Sequence, residues 1–148
     1  MYKYIYVLRP PSEWVTSVIK HFYGLRTIGY NYINDYYWIR LLGYDMLPVL
    51  KNGKEAEIYK LISDLYQINF DILQSALKNQ AIFFVNMEDL DSLAIKLGQI
   101  IGIEPNFDQS WRRVAKHKPH FKIPLDLEMD KKYQIWLKSI PERRFMVV

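Results

Sequence analysis

Residues 4–22, YIYVLRPPSEWVTSVIKHF, decide the fold that the sequence predicts. Aromatic and β-branched residues fill positions 2–8 and stop at Arg9 and two prolines, a pattern typical of a buried strand. Ser12 is a suitable N-cap for a following helix, and the apolar side chains after it recur on one helical face. They are Trp14, Val15, Val18, Ile19 and Phe22. The segment therefore predicts a strand, a turn and a helix.

The rest of the chain alternates helices with one further strand. The predicted elements, in chain order, are a short aromatic helix over 36–42 capped by Asn34 or Asp35, a turn over 51–53, a long amphipathic helix over 54–78, a strand over 81–85, and helices over 92–101 and 127–140. Strands separated by helices predict an α/β fold, with a parallel sheet flanked by helices in a single domain over 1–148. Two strands are few for a free-standing sheet, so we expect that domain to be incomplete.

Composition places the chain among globular proteins and excludes several kinds of site. Of its 148 residues, 50% are hydrophobic and none is cysteine, which excludes disulfides, thiolate metal sites and thiol nucleophiles. The formal charge of +4 favours an anionic ligand without identifying it. The N-terminal apolar run is too short for a signal peptide, and no stretch approaches the ~20 apolar residues of a membrane span. A soluble, cytoplasmic protein is predicted.

The turn after the first predicted strand is a candidate anion site. The first backbone N–H groups of a helix have no partners within the helix, and the helix dipole adds positive potential there. Arg9 lies at the strand end, where a guanidinium can make two parallel hydrogen bonds to a phosphate. Ser17, eight residues later, can present its hydroxyl to the same anion. Arg9 and Ser17 are therefore the predicted ligand-binding residues.

Residues 4–22 resemble the segment of PAPS-dependent sulfotransferases in which a strand ends in an R-D-P-type turn and a helix carries a serine eight residues after the arginine. The downstream order is similar as well, with a long helix, the stretch AIFFVNMEDL and a helix ending in I-G-I. The resemblance implies a partial P-loop-like fold, the sulfuryl donor PAPS (3′-phosphoadenosine 5′-phosphosulfate) without a metal, and binding of its 3′-phosphate by Arg9 and Ser17. Pro10 departs from the acidic residue of the family. Glu88 matches its downstream acidic residue, and we expect it to have a structural role.

Other parts of the family pattern are missing from the sequence. Sulfotransferases begin with a strand and a phosphate-binding loop whose lysine contacts the sulfonate, and their catalytic base also lies upstream. Because neither is found, the domain is expected to be incomplete at its N-terminal side, and no catalytic residue is assigned. The resemblance implies a sulfotransferase-like protein for sulfuryl transfer to a hydroxyl or amine acceptor of undefined identity. A second copy of the chain or a complementing N-terminal segment is the expected partner.

Two other functions stay open. The chain can instead be a non-catalytic nucleotide-binding or protein-interaction module, that is, a degenerate sulfotransferase fragment, in which an open sheet edge invites pairing. A nucleic-acid binder is supported only by the charge and the tyrosine content, without the clustered basic face that such proteins usually carry.

Structural or solvated roles are the favoured interpretation of the remaining candidate residues. His21, one turn after Ser17, is expected to be packed or exposed rather than a catalytic base. His117 and His120 lack a third ligand for a metal ion. Five aromatic residues are expected to pack in the core, although they can stack on an adenine: Tyr30, Tyr32, Tyr36, Tyr37 and Trp38. Four basic residues are expected to form a solvated face, although they can contact phosphates: Arg112, Arg113, Lys116 and Lys118.

Overall fold

The two predicted strands are present, and four helices are described between them. A computed structural model describes residues 3–27, 34–104, 121–124 and 126–146. The elements follow in the order β1 (Tyr4–Leu8), α1 (Pro11–Thr27), α2 (Asn34–Leu42), α3 (Met46–Asn52), α4 (Glu55–Lys78), β2 (Ile82–Asn86), α5 (Leu90–Ile101) and α6 (Leu127–Ser139), with short 3-10 turns at Met87–Asp89 and Glu142–Arg144. The described chain is thus mixed α/β and mostly helical.

β1 and β2 pair in parallel, in a register that sets Leu8 opposite Asn86. On its other side β2 meets the C-terminal segment, where Phe145 forms a parallel bridge with Phe84 and the Met146 N–H donates to the Phe84 carbonyl at 2.8 Å. β2 therefore lies between β1 and the C-terminal segment, and β1 is an edge strand as far as the chain is described. The predicted α/β class and the parallel pairing of the two strands are confirmed.

A first hydrophobic core forms where α1, α3 and α4 meet. α1 buries the face that the sequence predicted, with Val15 and Ile19 fully covered and Trp14 and Val18 partly buried beside them. α4 contributes apolar residues at three- and four-residue steps, the spacing that places side chains in one stripe along a helix. They are Ile58, Leu61, Ile62, Leu65 and Tyr66. Burial of these faces holds α1 against α4.

A second core lies between one face of the sheet and helices α4 and α6. Phe84 of β2 is fully buried, and its ring meets that of Trp136 edge-on with 5.8 Å between the ring centroids. Leu8 of β1 packs in the same core. The other buried members come from the two helices and the residue that follows α6: Leu73, Ala76, Tyr133 and Ile140. Since α6 packs on the sheet and also contacts α1, it joins the two cores.

Helix α3 was not predicted. Asp45 caps it by accepting a hydrogen bond from the Leu47 N–H at 2.9 Å, and Pro48 lies in the first turn, where the missing proline N–H breaks no helical hydrogen bond. The helix continues through Asn52 into the region where the sequence predicted a turn. It ends at Gly53, where an added Cβ atom would collide with the Val49 carbonyl oxygen, so glycine is required by close approach rather than by a positive φ.

α1 continues past Phe22 to Thr27, beyond the predicted segment, and the other element bounds differ from the prediction by one or two residues. α5 begins at Leu90 rather than at residue 92, because the 3-10 turn at Met87–Asp89 leads directly into it. It ends where predicted, since Gly102 takes a φ of 73° and donates its N–H to the Gly98 carbonyl. No helix in the described ranges is long and apolar enough to cross a membrane.

The buried guanidinium of Arg144 joins the C-terminal segment to the end of α4. It is 5% exposed and donates to four backbone carbonyls, at distances between 2.7 and 3.3 Å. They belong to Ala76, Leu77, Asn79 and Ile82. The last carbonyls of a helix lack partners within the helix and carry partial negative charge, so they offset part of the cost of burying this cation. Phe84 lies 5.3 Å from the guanidinium carbon and adds a cation–π contact.

Replacing Arg144 should destabilise the fold more than any surface change. We expect Arg144→Ala to lower the free energy of unfolding by about 3 kcal/mol, because several buried carbonyls lose their donors. Arg144→Lys keeps the charge without the planar fork and should lose about half as much. Urea denaturation measures both values. The neighbouring Arg143 is exposed, and Arg143→Ala is the matched control, expected to change stability by less than about 0.5 kcal/mol; equal losses in the two alanine variants would contradict this role.

Candidate functional site

The carboxyl ends of β1 and β2 lie at the same edge of the sheet, because the strands are parallel and Leu8 is opposite Asn86. Arg9 follows β1 at this edge, and the 3-10 turn Met87–Asp89 follows β2. Ligands of open α/β sheets bind at the carboxyl ends of their strands. The edge that carries Arg9 is therefore the candidate functional site.

Arg9 is partly buried and, among the described residues, has no hydrogen bond or ion pair. A guanidinium always carries its charge and presents five N–H donors. An unpaired guanidinium at a strand end can therefore bind a phosphate or carboxylate by donating two parallel hydrogen bonds. Only Pro10 separates Arg9 from the first residue of α1. Arg9 therefore lies between the end of the strand and the start of the helix, as the sequence predicted.

The backbone donors of α1 are largely used within the protein, which corrects the prediction that they are available to an anion. The helix starts at Pro11, which has no N–H. The Ser12 N–H donates to Asp130 Oδ1 at 3.0 Å, and the Trp14 N–H donates to the Pro10 carbonyl at 2.9 Å. A ligand at this site therefore depends on side chains such as Arg9.

Asp130 of α6 occupies the position at the start of α1 that an anionic ligand would take. Its second oxygen, Oδ2, accepts a hydrogen bond from the Ser12 hydroxyl at 2.6 Å. Ser12 was predicted to be the N-cap, and this is wrong: Pro11 takes the first helical position, since its fixed φ suits a helix, and Ser12 becomes the second. A carboxylate beside the first turn stabilises the helix dipole. Asp130 lies 118 positions away in sequence, so no local signal pointed to it.

Ser17 lies on the side of α1 that faces away from the first core. It is the seventh residue of the helix, two positions after the buried Val15, and therefore about 200° around the helix from it. Ser17 is partly buried and has no hydrogen bond among the described residues. Its position is about 9 Å along the helix axis from Pro11. One phosphate can therefore contact both residues only if the long Arg9 side chain extends along the first turns of α1 towards Ser17.

Of the two aromatic candidates whose side chains are described in α2, one packs in the core and the other is exposed. Trp38 packs against Trp14, with 6.1 Å between ring centroids, as expected for core packing. Tyr37 is 53% exposed. Tyr30 and Tyr32 lie outside the described residues, as does the side chain of Tyr36.

The charged and histidine candidates do not join Arg9 in one described cluster. His21 is exposed on α1. Glu88 is exposed and has no hydrogen bond in the described part of the chain, whereas its neighbour Asp89 accepts from the Asn86 side chain at 3.2 Å. Six further candidates lie outside the described residues: Arg112, Arg113, Lys116, His117, Lys118 and His120. The described residues contain no group of three acidic or histidine side chains able to hold a metal ion.

Among the titratable groups around this site, Tyr133 of α6 has the most clearly shifted pKa. Its pKa is raised to about 12, mainly by burial and in smaller part by the negative charge of the nearby Tyr6, Glu13 and Asp130 side chains. Glu13 and Asp130 both lie at the start of α1. The neutral phenol is therefore strongly favoured in the folded protein.

The chain matches no protein-family model, no curated protein and no solved structure. No matched protein supports the resemblance of residues 4–22 to the sulfotransferase segment, so this resemblance depends on the amino-acid sequence alone.

The contact between Asp130 and Ser12 should stabilise the protein measurably. We expect Asp130→Ala to lower the free energy of unfolding by about 1–2 kcal/mol, the usual value of a side-chain cap with two hydrogen bonds. In a double-mutant cycle with Ser12→Ala, urea denaturation should give a coupling of about 1 kcal/mol. Glu128→Ala on the same helix removes only an exposed ion pair with Lys131 and should cost less than about 0.5 kcal/mol. Additive losses from the Asp130 and Ser12 variants would show that the contact contributes nothing.

Stability should fall at high pH through Tyr133. An unfolded tyrosine ionises near its ordinary pKa of 10.0, whereas the folded value is about 12. Between these values the folded state holds the proton that the unfolded state has lost, so its stability is complete below about pH 10 and is lost as the pH rises towards about 12. Tyr133→Phe should flatten the decline of unfolding free energy over this range, measured by urea denaturation at each pH. An unchanged slope in the variant would contradict the assignment.

Proposed function

We propose that this chain is a sulfotransferase-like protein that binds the 3′-phosphate of PAPS through Arg9 and Ser17, for sulfuryl transfer to a hydroxyl or amine acceptor. The observation that carries the proposal is the state of Arg9. It is partly buried, unpaired among the described residues, and located at the carboxyl edge of a parallel strand pair directly before a helix.

The chemistry of the proposed contact depends on the Arg9 side chain. A phosphate carries more charge than a carboxylate and offers several oxygens, which suits the planar donor fork of a guanidinium. The negative charge of Asp130 at the start of α1 offsets the positive end of the helix dipole, so the helix by itself attracts an anion weakly. Arg9 then supplies most of the attraction, and Ser17 adds a hydroxyl donor further along the helix.

A P-loop-like sheet belongs to the same proposal. Two parallel strands connected through helices, with Arg9 at their carboxyl edge, support such an arrangement. Arg9 and Ser17 would hold the end of the donor that carries the 3′-phosphate, away from the sulfonate that is transferred. In-line transfer also needs positive groups that stabilise charge on the bridging oxygen. The catalytic base and these groups are left unassigned.

The alternative is a non-catalytic module that binds a nucleotide or another protein, and exposed apolar side chains at the end of α5 favour it. Ile100 and Ile101 are 78% and 64% exposed, and Ile103 just after the helix is 62% exposed. Adjoining exposed aliphatic residues of this kind often mark interaction surfaces. An assay of sulfuryl transfer from PAPS distinguishes an enzyme from such a module.

Titration with adenosine 3′,5′-bisphosphate tests the proposed donor site. The wild-type chain should bind this ligand in isothermal titration calorimetry, and adenosine 5′-monophosphate, which lacks the 3′-phosphate, should bind at least tenfold more weakly, as loss of a charge-assisted contact implies (about 1.4 kcal/mol per tenfold). Arg9→Ala should weaken bisphosphate binding by about 10- to 100-fold and Ser17→Ala by a smaller factor, about fivefold.

Arg143→Ala is the matched control, because it removes the same charge from an exposed position at the other end of the chain. Its affinity for the bisphosphate should equal that of the wild type. Absence of binding by the wild type, or equal binding by the Arg9 and Arg143 variants, would exclude the donor site. Binding to oligonucleotides that salt abolishes, without preference for the bisphosphate, would favour a nucleic-acid binder.

A further inference from the structure

The outer edge of β1 carries unpaired backbone groups. In a parallel pair, alternate residues of a strand bond to the neighbour and the residues between them point away. The Tyr4 N–H donates to the Ala81 carbonyl at 2.9 Å. The backbone N–H and C=O groups of Tyr4, Tyr6 and Leu8 therefore point towards β2. The N–H and C=O groups of Ile5 and Val7 therefore point outward, and within the described ranges nothing hydrogen-bonds to them.

An apolar groove runs beneath this edge. Its volume is about 510 Å³. Most of its lining is apolar, from Tyr6 and Ile82 of the sheet, Ile68 and Ile72 of α4, and Leu41 of α2, and its polar members are Asp71, Ser75 and Asn79. Tyr6 lies on the sheet face that packs on α4, so the groove opens on the side where a strand added to β1 would place every second side chain. The groove therefore fits aliphatic side chains at alternate positions of an extended segment.

The opposite face of β1 is also apolar and accessible. Ile5 is 43% exposed, and its side chain points away from the groove because neighbours on a strand alternate between faces. The intermediate side chains of an added strand would pack beside it. The edge thus combines backbone partners with apolar surface on both faces, as expected of a site for strand addition.

The charges at the two ends of β1 indicate what kind of segment can pair with its outer edge. Lys3 precedes the strand and Arg9 follows it, and basic residues at an edge oppose pairing of identical strands. A second copy paired in antiparallel fashion about Tyr6 would match the hydrogen bonds of Ile5 and Val7 but would set Lys3 opposite the second copy's Arg9. Like charges directly opposite are unfavourable. Carboxylates at both ends of an incoming segment would instead be attracted.

We propose that the outer edge of β1 binds an extended peptide segment of a partner protein as an added strand, with aliphatic side chains at alternate positions and an acidic residue at each end. The contact uses the backbone of Ile5 and Val7 and the groove over α4, so it does not require nucleotide binding. Arg9 is the one residue that this site shares with the proposed donor site.

The probe is an acetylated, amidated seven-residue peptide, Glu-Val-Thr-Val-Thr-Val-Glu, whose length matches residues 3–9. Titrated into the full chain, it should give saturable shifts of the Ile5 and Val7 amide signals in NMR spectra. Ile5→Pro removes an outward N–H, which an edge strand tolerates, and should weaken binding at least tenfold. N-methylation of both the valines and the threonines should weaken binding as much, because Ile5 and Val7 pair with the threonines in an antiparallel strand and with the valines in a parallel one. A peptide with terminal lysines should also bind about tenfold more weakly.

The controls separate this site from the donor site and from a folding defect. Ser17→Ala should leave peptide binding unchanged while it weakens binding of the bisphosphate. Tyr6→Pro removes an N–H that faces β2 and should lower the thermal midpoint, whereas Ile5→Pro should preserve it. Should Ile5→Pro fail to fold, the N-methylated peptide still tests the backbone contact on the wild-type chain.

The absence of saturable shifts in the wild type would overturn the proposal, as would equal binding of the N-methylated peptide. Equal binding by a folded Ile5→Pro variant would overturn it too. A dimer in sedimentation equilibrium that Ile5→Pro dissociates would assign the edge to a second copy of the chain instead of a peptide.

Discussion

The structure depends on the anchoring of β2 by Arg144. The guanidinium donates to carbonyls from Ala76 to Ile82, which fixes the turn between the end of α4 and the start of β2. The next residues, Phe145 and Met146, pair with Phe84 on one side of β2, and β1 pairs on the other. Among the described residues Arg144 has no carboxylate partner, and its burial is acceptable because the helix end supplies partial negative charge and several acceptors at once. The strand that carries Arg9 is therefore placed through β2.

In the candidate donor site, a side chain of the protein itself takes the position at the start of α1 that an anionic ligand could occupy. A helix start usually offers its N–H groups to an anion, but here Pro11 has none to offer and Asp130 binds the backbone and hydroxyl of Ser12. The same contact ties α6 to α1 and so joins the two hydrophobic cores. The backbone donors that could bind a ligand here stabilise the fold instead, so in the proposed donor site an anion would be bound by Arg9 and Ser17.

The two proposed sites occupy different sides of β1. Arg9 lies at the carboxyl end of the strand, whereas the groove lined by Tyr6 and Ile82 lies under its free edge. In the part of the chain that the structure describes, the sheet has two strands, so β1 has one neighbour and its outer backbone groups are unpaired. The free edge therefore lies beside the strand end that carries Arg9.

By itself, the sequence determined the local structure wherever periodicity or turn residues were strong. The stripe along α4, the strand before Arg9 and the glycine that ends α5 were predicted because each depends on neighbours in the chain. The tertiary structure alone decided that Asp130 fills the start of α1, that Arg144 closes the end of α4, and that Glu88 faces solvent. These outcomes depend on partners 62 to 118 positions apart or on the surroundings of one side chain, and no local pattern encodes either.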